Sequence, residues 1–295
     1  MKIYIIGAGW YGCYVAYILS EKHDITILEQ SHDIFTKSSY FNQNRLHIGY
    51  HYPRNDNTRT LCRNGYIRFM EEFKDVVDDV DNNYYAISNE SIIDFQTYVN
   101  IYNLNYSDSS FVENKDFTNI DGKLIKVQEK VINSEKSKQF FKNQLDNKVK
   151  FIFNYKVDNI KYKKNSIVIN DELEGDFMFD CTYNQLNMGK NFLYEKSLSL
   201  VYKNESKCKC ALTIMDGNFC SIYPQDIDNN IYTLTDVKET PLIKSENIKD
   251  ITNYKFSNKI LHEKIKLFEK NIQHYYPRFK DEFKYIDYFL SFKCK

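Results

Sequence analysis

The run Ile3-Tyr4-Ile5-Ile6 leads directly into Gly7-Ala8-Gly9-Trp10-Tyr11-Gly12, three glycines at the spacing G-x-G-x-x-G. An uninterrupted apolar run of this length reads as a strand buried on both faces. Val15, Ala16, Ile18 and Leu19 follow at helical spacing, His23-Asp24 breaks the helix, and Ile25-Thr26-Ile27-Leu28 reads as a second buried strand ending at Glu29. Each part has a chemical reason. Gly7 makes a tight turn, Gly9 lets a pyrophosphate reach the backbone, and Gly12 lets the helix lie close on the strand. The start of the helix offers free N–H groups and the positive end of its dipole. A carboxylate at the end of the second strand accepts ribose hydroxyls and repels a 2′-phosphate, so FAD or NAD is expected over NADP. Gly7, Ala8, Gly9, Trp10, Tyr11, Gly12, Glu29 and Gln30 are the residues expected around that dinucleotide.

Charge narrows the partners. Lys and Arg together number 40, as do Asp and Glu, so no basic excess points to nucleic acid or to an anionic membrane surface. No stretch approaches the roughly 20 apolar residues of a membrane span, and the first apolar run is too short for a signal peptide. A cytoplasmic protein acting on a small molecule is expected. Seven cysteines, an odd number, read as free thiols in a reducing compartment. Cys208-Lys209-Cys210 is the one close pair, and no second pair or histidine follows at ligand spacing, so no metal is expected.

Residues 38–68 differ from the rest: Ser38-Ser39-Tyr40-Phe41-Asn42-Gln43-Asn44-Arg45-Leu46-His47-Ile48-Gly49-Tyr50-His51-Tyr52-Pro53-Arg54, then a helix expected over 58–73. The stretch is too polar for a core element, yet rich in residues that bind anions and substrates. Here the chain resembles the D-amino-acid-oxidase-type FAD-dependent oxidoreductases. Asn42-x-x-x-Leu46-His47-x-Gly49, with Tyr52-Pro53 and Leu61-Cys62-x-x-Gly65 after it, is similar to the matching segment of L-2-hydroxyglutarate dehydrogenases and of relatives encoded among bacterial surface-polysaccharide genes. The resemblance implies FAD as cofactor, with Asn42, Arg45, Leu46, His47 and Gly49 near the flavin. It also implies that Val157 meets the adenine through its backbone. The strand 176–182 matches the place where the family usually ends in Ala-Thr-Gly, with Thr182 kept and Tyr183 in place of the glycine.

The expected fold is α/β: a Rossmann-type FAD-binding domain (1–80 and 131–190) and a second α+β substrate domain built on an antiparallel sheet (81–130 and 191–295). Ser134 is expected to cap a helix over 134–145, and Asn258 to Tyr276 reads as an amphipathic helix. Tyr202, Tyr223 and Tyr232 are candidate walls of the substrate pocket. In the family the chain then returns to the flavin through a strand, a glycine turn and a helix. Here the last glycine is Gly217. The positive group that a reduced flavin wants at its N1/O2 edge is thus expected from elsewhere, a second polypeptide included.

The activity this implies is transfer of a hydride to flavin N5 from a carbon bearing an amine or a hydroxyl, as in an amino acid or a 2-hydroxy acid. His47 or His51 is the candidate base, and Arg45 or Arg54 the candidate clamp for a substrate carboxylate. A flavin- or nucleotide-binding remnant without turnover, and a flavoenzyme of nucleotide-sugar or polysaccharide metabolism, stand as alternatives.

Overall fold

The computed structural model describes residues 1–104, 111–113, 115–186, 192–206, 209–217 and 219–295. Cys208 lies outside them. The first part of the chain runs β1 (Lys2–Ile6), α1 (Trp10–Leu19), β2 (Asp24–Leu28), β3 (Arg45–Leu46), α2 (Asp56–Phe73) and β4 (Val77–Asp78). An excursion follows through β5 (Asn82–Ser88), α3 (Phe95–Ile101), β6 (Phe111–Val112) and β7 (Ile120–Lys126). The chain continues with β8 (Lys130–Ile132), α4 (Ser134–Leu145), β9 (Val149–Ile152), β10 (Ile160–Tyr162), β11 (Ile167–Ile169), β12 (Leu173–Gly175) and β13 (Phe177–Asp180). The remainder is β14 (Tyr194–Asn204), β15 (Cys210–Met215), β16 (Cys220–Asp226), β17 (Ile231–Asp236), β18 (Pro241–Ser245), α5 (Ile248–Asn253), α6 (Asn258–Tyr275), α7 (Phe279–Glu282) and β19 (Phe283–Cys294).

β1 sits between β13 and β2, with β9 beyond β2, and all three pairings are parallel. Alternation along β1 sends its side chains to two different cores. Ile3 and Ile5 join Ile25, Ile27, Ala16, Phe141 and Leu145 under α1 and α4, whereas Tyr4 and Ile6 join Leu28, Val157, Ile167 and Ile169 under the β10–β12 meander. Both faces are covered, which is why β1 and β2 read as unbroken apolar runs.

α1 approaches β1 as closely as a glycine permits. A Cβ on Gly12 would lie 1.9 Å from the Gly7 carbonyl oxygen, and Gly7 itself has φ +100°. The chain thus leaves β1 in a conformation that L side chains rarely adopt and presses the helix onto that turn.

The second layer is a nine-stranded sheet built from β5–β7 and β14–β19. β19 covers one edge of β14 from Tyr194 to Asn204, while β18 and β17 share its other edge end to end. The sheet is antiparallel except where β5 meets β15 in parallel register. Leu198, Leu200, Tyr202, Ile222 and Leu234 face the apolar stripe of α6, where Leu261, Phe268, Ile272 and Tyr275 are buried. The intervening residues Ser199, Ser221 and Thr235 face the opposite way, into a polar pocket.

Several local expectations are corrected. α4 is capped by Asn133, whose side chain accepts from Lys136 N–H at 3.0 Å; Ser134 instead accepts from Asn44 Nδ2 at 2.7 Å. α2 opens earlier than expected, at Asp56, because Asn55 caps it by accepting from Thr58 N–H. The twelve-residue β19 had no alternating signature, since most of its residues are only half-buried. Tyr202, Tyr223 and Tyr232 are all buried, and Tyr202 and Tyr232 pack in the core beneath the sheet. Among the described residues no helix is long and apolar enough to cross a membrane.

The Gly7–Gly12 contact makes a sharp expectation. Gly12→Ala should destabilise the protein by about 3 kcal/mol, because the neighbour it meets is backbone and cannot rotate away. A urea midpoint indistinguishable from wild type would remove this constraint.

Candidate active site

The turn after β1, the end of β2 and the turn after β13 enclose one cleft of about 820 Å³. Its walls include Gly7, Ala8, Gly9, Glu29, Gln30, Val157 and Thr182, together with Lys37, Ser38, Ser39, Lys156 and Tyr183. Glu29 is buried, and its two oxygens accept from Ala8 N–H at 2.7 Å and Ser31 N–H at 2.8 Å. Each carboxylate oxygen has a second lone pair, so the group keeps acceptor capacity. α1 begins at Gly9 with no side-chain cap and no acidic residue in its first turn, which leaves the positive end of its dipole for an anion. Ser39 Oγ accepts from Trp10 N–H at 2.8 Å and would lie 2.9 Å from a Cβ on Gly9. The donor set, the glycine turn and the buried carboxylate suit an adenine dinucleotide.

Tyr183 resolves the missing glycine. It has φ +58° and the following Asn184 has φ +56°, so the backbone takes the left-handed bend despite carrying side chains. Such residues cost on the order of 1–2 kcal/mol each.

A second pocket, about 990 Å³, lies between the segment 42–51 and the polar face of the large sheet. Asn42, Gln43, Arg45, His47 and His51 line one side, and Ser199, Phe219, Ser221, Thr235, Lys244 and Lys293 are among those lining the other. The segment 36–47 therefore contributes to both cavities, through Thr36, Lys37, Ser38 and Ser39 in the first and Asn42 to His47 in the second. Ser38 Oγ also donates to the Phe292 carbonyl at 3.0 Å, tying this segment to β19.

Beneath the second pocket lies a buried charge network. Arg45 donates to Tyr85 Oη at 2.7 Å and Ser221 Oγ at 2.8 Å, and its guanidinium stands 3.9 Å over the Tyr223 ring. Glu129, fully buried, accepts from Tyr85 Oη–H at 2.6 Å and from Ile48 N–H at 2.8 Å. Burial alone would raise its carboxyl, but the donors and charges of His47, Arg45 and Tyr85 outweigh that and hold it at about 2. Glu129 was invisible in the sequence, because nothing local marks a lone carboxylate between two strands. On the opposite wall Glu195 of β14 stands in register with Lys244 of β18 and Lys293 of β19. Lys295 Nζ reaches the same carboxylate at 2.9 Å. Three cations thus share one buried anion.

The expected residues do not all converge. Gly12 serves helix packing, and Tyr11 is exposed on α1 outside the cleft. The Trp10 ring is stacked on Phe69 and packed against Phe35, Phe73 and Phe141, so only its backbone is near the cleft. Leu46 is buried, paired with Lys130 in a short ladder. Arg54 is 59% exposed and bound to Asp216 at 2.6 Å, away from the pocket. His51 stands at the pocket floor with Nδ1 buried and lacking a hydrogen-bond partner. Burial, then the nearby Arg45 and His47, lower its pKa from 6.5 to about 3.

The sign of the His51 effect is clear. The unfolded chain takes up this proton below 6.5, whereas the folded protein refuses it until about 3, so stability falls as pH drops through that window. At pH 5 the loss should be about 2 kcal/mol. Urea unfolding at pH 7 and pH 5 should show a smaller pH decrement for His51→Phe than for wild type; equal decrements would show that the ring is protonated when folded.

Comparison with known proteins places this architecture. Residues 2–92 match the family model DAO, FAD dependent oxidoreductase. The FAD-dependent monooxygenase FPY4 of Fusarium mangiferae is 31% identical over 99% of this chain and 79% of that protein. Among solved structures, the dithionite-reduced L-alpha-glycerophosphate oxidase from Mycoplasma pneumoniae with FAD bound superposes with a TM-score of 0.68, at 15% identity, over 99% of this chain and 83% of that one. Glycine oxidase from Geobacillus kaustophilus gives 0.67 at 10% identity, covering 100% and 83%. The fold is thus a Rossmann-type FAD-binding domain joined to an α+β substrate domain, and the chain belongs to the DAO family of FAD-dependent oxidoreductases, with FAD as its cofactor.

Proposed function

We propose that this enzyme oxidises a small polar substrate at a carbon bearing an amine or a hydroxyl, in the pocket between residues 42–51 and the large sheet. The observation that carries this is the shared segment 36–47, which lines the dinucleotide cleft at one end and the polar pocket at the other. A cofactor held by its adenine half in the first cavity would have its redox ring directed to the second. Gly7, Gly9 and the start of α1 hold the pyrophosphate, Glu29 the ribose, and Val157 and Thr182 border the nucleotide. Bound FAD supplies the electron sink. The chain's own residues then bind the substrate and remove a proton from its nitrogen or oxygen.

His47 is the base in this mechanism, because it lines the pocket with an ionised carboxylate behind it. His51 is disfavoured, since a ring held neutral down to about 3 is a weak proton acceptor near neutrality. Arg45 is engaged by Tyr85, Ser221 and Glu129, and Arg54 by Asp216, so neither is the carboxylate clamp. Lys244, Lys293 and Lys295 take that part, with an excess of positive charge over Glu195. The same lysines are a source of positive charge within this chain, which argues against reliance on a second polypeptide.

The domain division 1–80 with 131–190 against 81–130 with 191–295 is part of the proposal. Its support is that the parallel sheet draws strands only from 2–28 and 149–180, and the large sheet only from 82–126 and 194–294. A cytoplasmic location is supported by the cysteines Cys13, Cys62, Cys181, Cys220 and Cys294, which are not joined in disulfides. FPY4 is named a monooxygenase, which favours a second reading in which oxygen enters the product. Isotopically labelled dioxygen separates the two: label in the product supports insertion, and label only in released peroxide or water supports dehydrogenation.

Purified protein should be yellow and bleach anaerobically with an amino acid or 2-hydroxy acid. Glu29→Ala should weaken FAD binding about 10- to 100-fold, as expected for lost hydrogen bonds to a charged acceptor. His47→Ala should keep FAD and lose about 100-fold or more in the rate of bleaching. Unchanged bleaching in His47→Ala, or FAD affinity unaltered in Glu29→Ala, would refute the corresponding assignment.

A further inference from the structure

Glu129 touches the segment 45–49 from behind, and its contacts are of two kinds. Oε1 accepts from Ile48 N–H at 2.8 Å and from Gly49 N–H at 3.4 Å, which pins the backbone on either side of the turn. The same oxygen lies 3.6 Å from His47 Nδ1, with the carboxylate fully buried and the imidazole 29% exposed. Oε2 takes the hydroxyl of Tyr85 and stands 3.9 Å from Arg45 Nη1. Five residues from two places in the chain thus converge on a single carboxylate: Arg45, His47 and the peptide groups of Ile48 and Gly49 from the segment below the pocket, and Tyr85 from β5.

The chemistry of that convergence is specific. A carboxylate accepts and an imidazole nitrogen facing it is favoured as N–H, so Glu129 selects one tautomer of the ring. With Nδ1 carrying the hydrogen, Nε2 keeps its lone pair. His47 lines the pocket, so the lone pair is available there. The spacing of 3.6 Å is longer than a hydrogen bond, and catalytic contacts of this type shorten when the substrate arrives. Charge completes the argument. Arg45 and Glu129 neutralise each other beneath the pocket, and a proton taken up by His47 would be balanced by a buried anion in a region of low dielectric.

We infer that Glu129 is a positioning residue that holds His47 as the Nδ1–H tautomer and stabilises the proton that His47 accepts from substrate. The second half rests on the function proposed above; the first half does not. Nδ1 of both His47 and His51 lacks a hydrogen-bond partner, and of the two His47 is the one that stands 3.6 Å from the Glu129 carboxylate.

The experiment uses the FAD-loaded full chain with isotopically labelled histidine ring nitrogens, read by NMR, with His47→Gln identifying the signal. Wild type should show His47 protonated on Nδ1; Glu129→Gln, which keeps the oxygen facing that nitrogen, should retain this tautomer, and Glu129→Leu, which removes the acceptor, should shift it toward the other tautomer or a mixture. Gln keeps an oxygen for Ile48 and Gly49, so the turn retains an anchor while the charge is lost. In anaerobic reduction by substrate, Glu129→Gln should lower kcat by about 10- to 100-fold with KM within about three-fold, because a group acting through His47 affects the proton step more than binding. A wild-type ring protonated on Nε2, or a ring signal unaltered in Glu129→Leu, overturns the proposal. The wild-type spectrum alone decides the tautomer should Glu129→Leu fail to fold. If no amine or hydroxyl substrate bleaches wild type, the proposed function falls while the tautomer result still stands or fails by itself.

Discussion

The contact between α1 and the turn after β1 is the constraint on which the nucleotide cleft depends. Gly12 has space for a hydrogen and nothing larger against the Gly7 carbonyl. That closeness sets the helix start, with the positive end of its dipole, beside the cleft at the end of β1. Glu29 then completes the arrangement from β2 by accepting from Ala8, inside the glycine turn. Strand, turn, helix and carboxylate are therefore mechanically one piece, and the cleft exists because they cannot separate.

The second pocket is organised by buried charge. Glu129 and Arg45 would each be costly to bury alone, and together with Tyr85 and Ser221 they form a hydrogen-bonded network under the segment 42–51 that leaves Arg45 Nε without a partner. Across the pocket, in-register pairing of β18, β14 and β19 brings Lys244 and Lys293 to Glu195 from both sides. The two walls differ in consequence. Below, the charges of Arg45 and Glu129 oppose each other; above, the cations outnumber the anion.

Much of the nucleotide half was legible in the sequence, because its signals are local. Strand, glycine spacing, helix and terminal acid all fall within Ile3 to Glu29, and each has its own steric or electrostatic cause. Tyr183 was harder: its side chain argues for an ordinary backbone, yet flanking structure imposes the left-handed bend that glycine would adopt freely. Arg54 misled for the opposite reason. Its chemistry suits a clamp, but Asp216, far away in sequence, takes it.

What the sequence determined by itself is therefore the parallel βαβ unit and the class of cofactor, since short-range sterics and period decide these. The tertiary structure alone decided which charged groups face the pocket. Glu129 meets Arg45 and Tyr85, and Glu195 meets its lysines, through strand pairing and crossovers between residues far apart in the chain; the partners of Glu129 then keep it ionised and burial keeps His51 neutral. No local pattern encodes those distances, because each depends on where the large sheet closes over the segment 42–51.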